Sequence, residues 1–365
     1  MFFLKKEICY TVPSISSRSG VTKVVANITN ALCRKGKYNI TVLAVDGTED
    51  NAIALNDEIK VINIGANANG NKLNYLMQII LGVRRVLSSY TPDIIVVSGA
   101  EFVLPFSFAV WSSGKSISMF QWEHRNFDAG PKFRLEWLGK RWALAFWQRI
   151  VCITKKDAMQ YITYTDTKGK INQIYNFNGF KAIRKPYNIA SKKIISCGYL
   201  APIKGFDMLV DVAKKVFERH PDWQWDIYGD GQERVRLEQL INERSLRGKV
   251  VLKGYEPNIN EKYGNYSFFV MTSRMEGMGM VLIEAQKAGL PVVSFDCKCG
   301  PSDVIANGEN GYLISCFDID NMANKICDLI EHEELRSVFS QNSEMCLAEF
   351  EKKVIIDKWC SLLDT

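Results

Sequence analysis

The chain has 365 residues, too many for one ordinary core and suited to two domains of roughly 150–200 residues each. Its 47% hydrophobic and 24% charged residues are the make-up of a soluble globular protein. A formal charge of +6 is too small an excess for a dedicated nucleic-acid binder, but it suits contact with an anionic membrane or substrate.

Strand and helix signals alternate along the chain. Short continuous apolar runs at 7–12, 39–45, 60–64, 93–97, 117–121 and 149–153 read as strands of a parallel sheet buried on both faces, with helical periods between them, as at 21–34 and 73–89. A second series lies at 193–196, 225–228, 250–252, 268–271, 291–295 and 312–314. Residues 335–363 read as helix. The expected fold class is α/β, with two Rossmann-like, doubly wound domains, residues 1–177 and 178–349, followed by a last helix at 350–365. The boundary falls in the aperiodic, polar stretch 177–191. Two such domains facing each other would put a cleft at the C-terminal ends of both sheets, able to close over substrate and exclude water.

No apolar run reaches the ~18–20 residues of a bilayer span. The nearest, 102–111, is interrupted by Pro105 and reads as the start of a buried helix. The first six residues lack the basic, apolar, small order of a signal peptide. Ten cysteines are scattered singly, apart from Cys297 and Cys299, and only three histidines accompany them. That points to a reducing cytoplasm, packed thiols and no metal site. The segment 133–149, FRLEWLGKRWALAFWQR, interleaves aromatic and basic residues. It reads either as a helix lying on a membrane surface or as one packing its aromatics inward.

The densest chemistry lies in 273–313. Glu276 follows the strand at 268–271, Gly277-Met278-Gly279 forms a flexible turn, and Glu284 falls in the helix that ends at Gly289-Leu290-Pro291. A turn of this kind aims backbone N–H groups and the positive end of a helix dipole at whatever sits above the strand, which suits a phosphate. The two carboxylates then need hydroxyls on two parts of one ligand. A nucleotide sugar offers a sugar, a diphosphate and a ribose. The dinucleotide fingerprint Gly-x-Gly-x-x-Gly is absent: Gly229-Asp230-Gly231 is followed by Arg234 at the third position, and Asp46, ending the second strand, reads as a turn residue.

The ordered series resembles the retaining family 4 glycosyltransferases, whose signature is Glu, seven residues, Glu. It runs through 16–20, Trp122-Glu123-His124, Gly198-Tyr199-Leu200, Lys204-Gly205, Gly229-Asp230-Gly231, Gly254, Glu276 to Glu284, Gly289-Leu290-Pro291, Gly300-Pro301-Ser302-Asp303 and Asn310-Gly311. The resemblance covers nearly the whole chain. It implies a GT-B fold whose last helix crosses back to the first domain. It implies a nucleotide-sugar donor, UDP-linked, carrying a hexose or N-acetylhexosamine, with no metal or cofactor. Catalytic roles fall to Glu276, His124 and Lys204. Donor contacts fall to Gly20, Tyr199, Tyr255, Gly277, Met278, Gly279, Met280 and Glu284. Tyr199 stands where the family has an arginine on the diphosphate, and a neutral hydroxyl cannot replace that charge. The 299–303 stretch is similar to members that build O-antigen, capsule or exopolysaccharide on a lipid carrier. The implied partners are thus a polyprenyl-diphosphate-linked glycan and the inner face of the plasma membrane. Two further readings remain open, a catalytically silent sugar-nucleotide-binding subunit and a UDP-sugar epimerase of the same fold.

Overall fold

The structure, a computed structural model, describes residues 5–15, 20–47, 53–128, 134–165, 168–177, 179 and 187–365. The loop 16–19 and much of the 177–191 boundary, both singled out in the sequence, lie outside the described residues. The chain divides into two compact units. Unit 1 comprises Met1–Asn178 with Lys352–Thr365, and unit 2 comprises Gly179–Glu351.

Unit 1 holds a seven-stranded parallel sheet of β1 (Lys6–Val12), β2 (Tyr38–Asp46), β3 (Lys60–Ala66), β4 (Ile94–Ser98), β5 (Ser118–Glu123), β6 (Arg149–Cys152) and β7 (Ile171–Gln173), in the order β3-β2-β1-β4-β5-β6-β7. Between them run α1 (Gly20–Cys33), α2 (Lys72–Ser89), α3 (Val103–Ser113), α4 (Leu135–Phe146) and α5 (Lys155–Thr165). Every residue of β4 is buried, as a strand covered by helices on both faces requires. Asn71 starts α2 by accepting the Leu73 N–H.

Unit 2 holds a six-stranded parallel sheet of β8 (Lys193–Cys197), β9 (Gln224–Tyr228), β10 (Val250–Gly254), β11 (Phe268–Met271), β12 (Val292–Phe295) and β13 (Gly311–Ile314), in the order β10-β9-β8-β11-β12-β13. Its helices are α6 (Phe206–Arg219), α7 (Arg234–Glu243), α8 (Met280–Lys287), α9 (Pro301–Val304), α10 (Ile319–Glu331) and α11 (Glu333–Asn342). The core gathers Leu209, Trp225, Phe268 and Ile326. Both sheets are of the doubly wound type expected, and the fold class is α/β.

Three expectations change. The 335–363 segment is not one helix. It breaks after α11, turns through Met345–Phe350 and resumes as α12 (Lys352–Leu363), which belongs to unit 1. The 133–149 segment is α4 alone in its helical part. Phe133 lies outside the described residues, Trp147 is a buried cap whose N–H reaches the Ala143 carbonyl, and Arg149 already starts β6. The helix at 103–113 is not wholly buried, because Trp111 is 81% exposed.

α12 is held in unit 1 by its apolar face and its end. Trp359 is fully buried, edge-on to Tyr10 and Trp122 at centroid distances of 5.8 and 4.7 Å. Lys6 Nζ donates to the Leu363 carbonyl at 2.7 Å, Tyr38 donates to Asp364, and Lys37 pairs with Asp364. Exposed ion pairs of this kind contribute little, so the tryptophan carries the docking. Trp359→Ala should lower unfolding free energy by about 3–5 kcal/mol, the range for truncating a buried Trp, whereas Lys37→Ala should cost well under that; urea denaturation followed by circular dichroism checks both.

Candidate functional site

In unit 2 the strand order reverses between β8 and β11, so the loops that leave these neighbouring strands diverge and leave a crevice above their C-terminal ends. The loops are laced together. The Leu200 N–H bonds the Asp230 carbonyl at 3.0 Å, the Arg274 N–H bonds the Ile203 carbonyl at 2.8 Å, and the Thr272 hydroxyl donates to the Gly205 carbonyl at 2.9 Å. Gly205 has φ 66°, and a Cβ there would lie 2.1 Å from the Thr272 carbonyl oxygen. Gly300, with φ 102°, meets the same limit 2.4 Å from the Met278 carbonyl. Side chains at these two positions would drive apart the loops that build the crevice.

Lys204, at the end of the β8 loop, reaches Glu276, at the end of β11, with Nζ–Oε1 at 2.6 Å. The Ser273 hydroxyl donates to the same oxygen at 2.6 Å. The pair joins residues far apart in sequence, with Glu276 nearly buried and Lys204 partly open. Gly279 has φ 76° and precedes α8 with no side chain capping it. The first N–H groups of a helix have no intrahelical partner, so this end is a place for anionic oxygen. Met278 packs beneath the turn, Gly277 stands between it and Glu276, and Met280 opens the helix. Glu284 lies one turn further on and accepts from the hydroxyl of fully buried Tyr263 at 3.4 Å. Tyr199 and Tyr255 are 62% and 74% exposed, on the loops after β8 and β10.

Arg274, on the loop after β11, turns its guanidinium to the segment that follows β8. It makes two bonds to Asp207, at 2.7 and 2.6 Å, and a third to the Pro202 carbonyl. These bonds hold the Asp207 carboxyl below its usual range. Arg274 therefore braces the β8 loop. Cys297 and Cys299 are buried thiols, the former pushed up to about 12 by burial. Among the described residues no three His, Cys, Asp or Glu side chains meet as a metal site requires.

In unit 1, Gly20 opens α1 with free space about its Cα. His124 directly follows β5, with its ring on Trp122 at 4.7 Å. Its Nε2 is buried with no hydrogen-bond partner, and burial lowers its pKa to about 3, so the imidazole is neutral. The loop behind it is clamped by three buried ionisable side chains in an arrangement that the sequence did not reveal. Lys140 donates to the carbonyls of Asn126 at 2.6 Å and Phe127 at 3.1 Å and lies 3.4 Å from Glu123. Glu123 accepts from the Arg125 N–H, Tyr161 and Gln121, each at 3.0 Å. Asp157 accepts from the Phe127 N–H at 2.6 Å. Lys140, read from sequence as a surface cation, is thus an internal one, turned inward because carbonyls and a carboxylate converge on it. A separate cavity of about 270 Å³ in unit 1 is lined by Lys72, Tyr75, Glu101, Arg134 and Glu136, and burial raises the pKa of Glu101.

Residues 18–177 match the family model described as Glycosyltransferase Family 4, and 180–345 match that described as Glycosyl transferases group 1. An uncharacterized glycosyltransferase of Haemophilus influenzae is 28% identical over 367 residues, spanning 98% of this chain and all of that one. A poly(ribitol-phosphate) alpha-N-acetylglucosaminyltransferase of Staphylococcus aureus is 30% identical over 219 residues, 59% of this chain and 44% of that protein. Among solved structures, S. aureus TarM in a complex that includes UDP superposes with a TM-score of 0.80 at 18% identity, covering 99% of this chain and all of that one, which shows a shared fold. The two matched regions lie side by side along most of the sequence, both models describe glycosyltransferases, and the shared fold is of the GT-B type.

The clamp in unit 1 makes two measurable demands. Lys140→Met leaves Glu123 buried without its cation and should cost about 3–5 kcal/mol, while adding Glu123→Gln should recover much of that loss; chemical denaturation of the single and double variants checks it. Asp157 is raised from 3.8 to about 7 by burial, with Glu123's charge adding to it. The folded chain then holds a proton that the unfolded chain releases near pH 4, so this contribution to stability is full below pH 4 and is lost as pH rises through 7. Asp157→Asn, which keeps an acceptor for the Phe127 N–H, should flatten that fall; melting temperatures from pH 4 to 8 measure it.

Proposed function

We propose that this chain is a retaining family 4, GT-B glycosyltransferase that moves a hexose or N-acetylhexosamine from a UDP-linked donor to a lipid-linked oligosaccharide during bacterial surface-polysaccharide synthesis. The observation that carries the reading is the meeting of Lys204 and Glu276 beside the uncapped start of α8, with Glu284 on the same helix. A cation, free helix N–H groups and two carboxylates in sequence suit, in order, a diphosphate, a sugar and a ribose. Relatives support the chemistry: one named member transfers N-acetylglucosamine to poly(ribitol phosphate), and one of like fold holds UDP.

In this mechanism the acceptor hydroxyl attacks the anomeric carbon on the face that the diphosphate leaves. The new C–O bond forms as the C1–O bond to phosphate breaks, and the hydroxyl proton passes to a departing phosphate oxygen. Charge on that oxygen is met by Lys204 and by the N–H groups at Gly279 and Met280, so the reading assigns no metal and no other cofactor. Glu276 holds Lys204 in place before the donor arrives and then takes sugar hydroxyls. Glu284 takes the ribose hydroxyls. His124, being neutral, serves the sugar as a hydrogen-bonding group rather than as an acid. Gly20, Gly277 and Met278 shape the floor, and Tyr199 and Tyr255 border the phosphates and the base. Tyr199 adds no charge, which leaves Lys204 the main cation for the diphosphate. The unit 1 cavity, with Lys72, Glu101 and Arg134, offers charged groups for a hydroxyl-rich acceptor. The acceptor's lipid would bring the enzyme to the inner face of the plasma membrane as a peripheral protein.

Binding and transfer separate the roles. Glu284→Gln should weaken UDP by about 1–3 kcal/mol, the scale of a charged hydrogen bond. Glu276→Gln frees Lys204, so it should keep or tighten UDP while losing transfer, and His124→Ala should lose transfer at unchanged UDP affinity. Calorimetry with UDP, together with UDP release from UDP-glucose and UDP-N-acetylglucosamine with membrane acceptor, decides the matter. Unchanged UDP affinity in Glu284→Gln, or full turnover in Glu276→Gln, would overturn the assignment. Sugar conversion without acceptor would replace transfer with epimerisation.

A further inference from the structure

We propose that the outer face of α2, α3 and α4 in unit 1 is a docking surface for an anionic lipid bilayer. The inference deepens the proposed function and rests on its lipid-linked acceptor for the choice of bilayer, while its geometry stands on unit 1 alone.

The three helices pack on the same core. Their inner residues, among them Ile79, Val83, Phe106, Ala109 and Leu144, are buried there. Large apolar side chains remain on the other side. On α2, Leu73, Met77 and Leu81 are exposed at steps of four, which puts them on one stripe. On α3, Phe108 and Trp111 are exposed, and on α4 Leu138 and Phe146, the latter at 63%. Half-buried Trp142 links two of the helices, with ring centroids 6.1 Å from Phe108 and 4.5 Å from Phe146. The rings thus form one continuous cluster across α3 and α4. α4 cannot shift to cover it, since a Cβ on Gly139 would lie 2.1 Å from the Ala100 carbonyl oxygen, so its close packing on that turn fixes its seat.

The charges that these helices expose are mainly basic. α2 and α3 contain no Asp or Glu. α2 carries Lys72, Arg84 and Arg85, and α4 carries exposed Arg141, whose guanidinium lies 4.5 Å from the Trp137 ring. The single acid of α4, Glu136, is paired with Arg125 at 3.0 Å. Each helix connects parallel strands, so all three run opposite to the sheet and their C-terminal ends gather at one side. There Lys115 donates to the Leu87 carbonyl and Lys170 to the carbonyls of Leu144 and Ala145. Trp111, Phe146, Arg84 and Arg85 stand at the same end. Aromatic rings at headgroup depth beside cations are what an anionic bilayer surface binds. No helix among the described residues is long and apolar enough to span a membrane, so contact has to be made from the surface. The structure therefore moves the membrane-facing element from the 133–149 segment alone to three helices, and it removes Lys140 from the contact.

The test uses the full chain and vesicles of phosphatidylcholine with 30% phosphatidylglycerol, roughly the anionic fraction at which basic surface patches bind. Wild-type protein should co-sediment at low salt and be released at high salt, and it should not bind vesicles of phosphatidylcholine alone. Trp111→Ser with Phe146→Ser should lower the partition coefficient at least about tenfold, given the apolar area lost. Arg84→Gln with Arg85→Gln should weaken binding and flatten its salt dependence. All four positions are exposed, so melting temperatures should hold. No binding at low salt, or equal binding by wild type and both double variants, overturns the proposal. So does a wild-type dimer in lipid-free sedimentation that Trp111→Ser dissociates, because a second copy would then cover the face. Calorimetry with UDP on the same samples keeps the two readings apart. Vesicle binding without UDP binding sinks the donor assignment alone, and UDP binding without vesicle binding sinks the docking surface alone.

Discussion

Unit 2 is organised around the ion pair between Lys204 and Glu276. The two side chains come from loops that diverge at the point where the sheet order reverses, and Gly205 lets those loops approach. A partly open pair in this position is costly to keep for stability alone, since desolvation offsets much of its attraction. Its sense is preorganisation. Lys204 is held by the Glu276 carboxylate, which the Ser273 hydroxyl in turn fixes, so little side-chain ordering would remain to be done on binding an anion. Arg274 turns instead to Asp207 and the Pro202 carbonyl. In the proposed reading the crevice meets a diphosphate with Lys204 and the start of α8.

Unit 1 solves a different problem. His124 must be presented at the end of β5 on an irregular loop, and irregular backbone cannot satisfy its own polar groups. Lys140, Glu123 and Asp157 satisfy them instead, from α4, β5 and α5, and the cost of burying these polar groups is met by bonds to four backbone groups of the loop. The same arrangement explains why α4 shows its aromatic and basic residues unevenly. One basic residue turns inward to the clamp, while Arg141 and Phe146 stay outside.

Much of this was legible in the sequence, for identifiable reasons. Parallel strands are short apolar runs, and twelve of the thirteen strands among the described residues announced themselves that way. β7 did not, since Ile171-Asn172-Gln173 has one apolar residue and is defined only by pairing with β6. The glutamate pair and its glycine turn were visible because strand, turn and helix follow one another locally. The Lys204–Glu276 contact, the Arg274–Asp207 brace and the Lys140 clamp were not, because each is fixed by strand order rather than by sequence spacing. Within 133–149 the inward turn of Lys140 was hidden for the same reason: composition cannot tell which of its cations has a buried partner.

The central claim is that the crevice over β8 and β11 receives a nucleotide diphosphate. Amide hydrogen exchange with and without UDP tests it most directly, because it reports where a ligand sits without presupposing a residue. The account predicts that UDP slows exchange in the segments 198–206 and 273–287, including the first turn of α8. Protection confined to other segments, or none at saturating UDP, would contradict it.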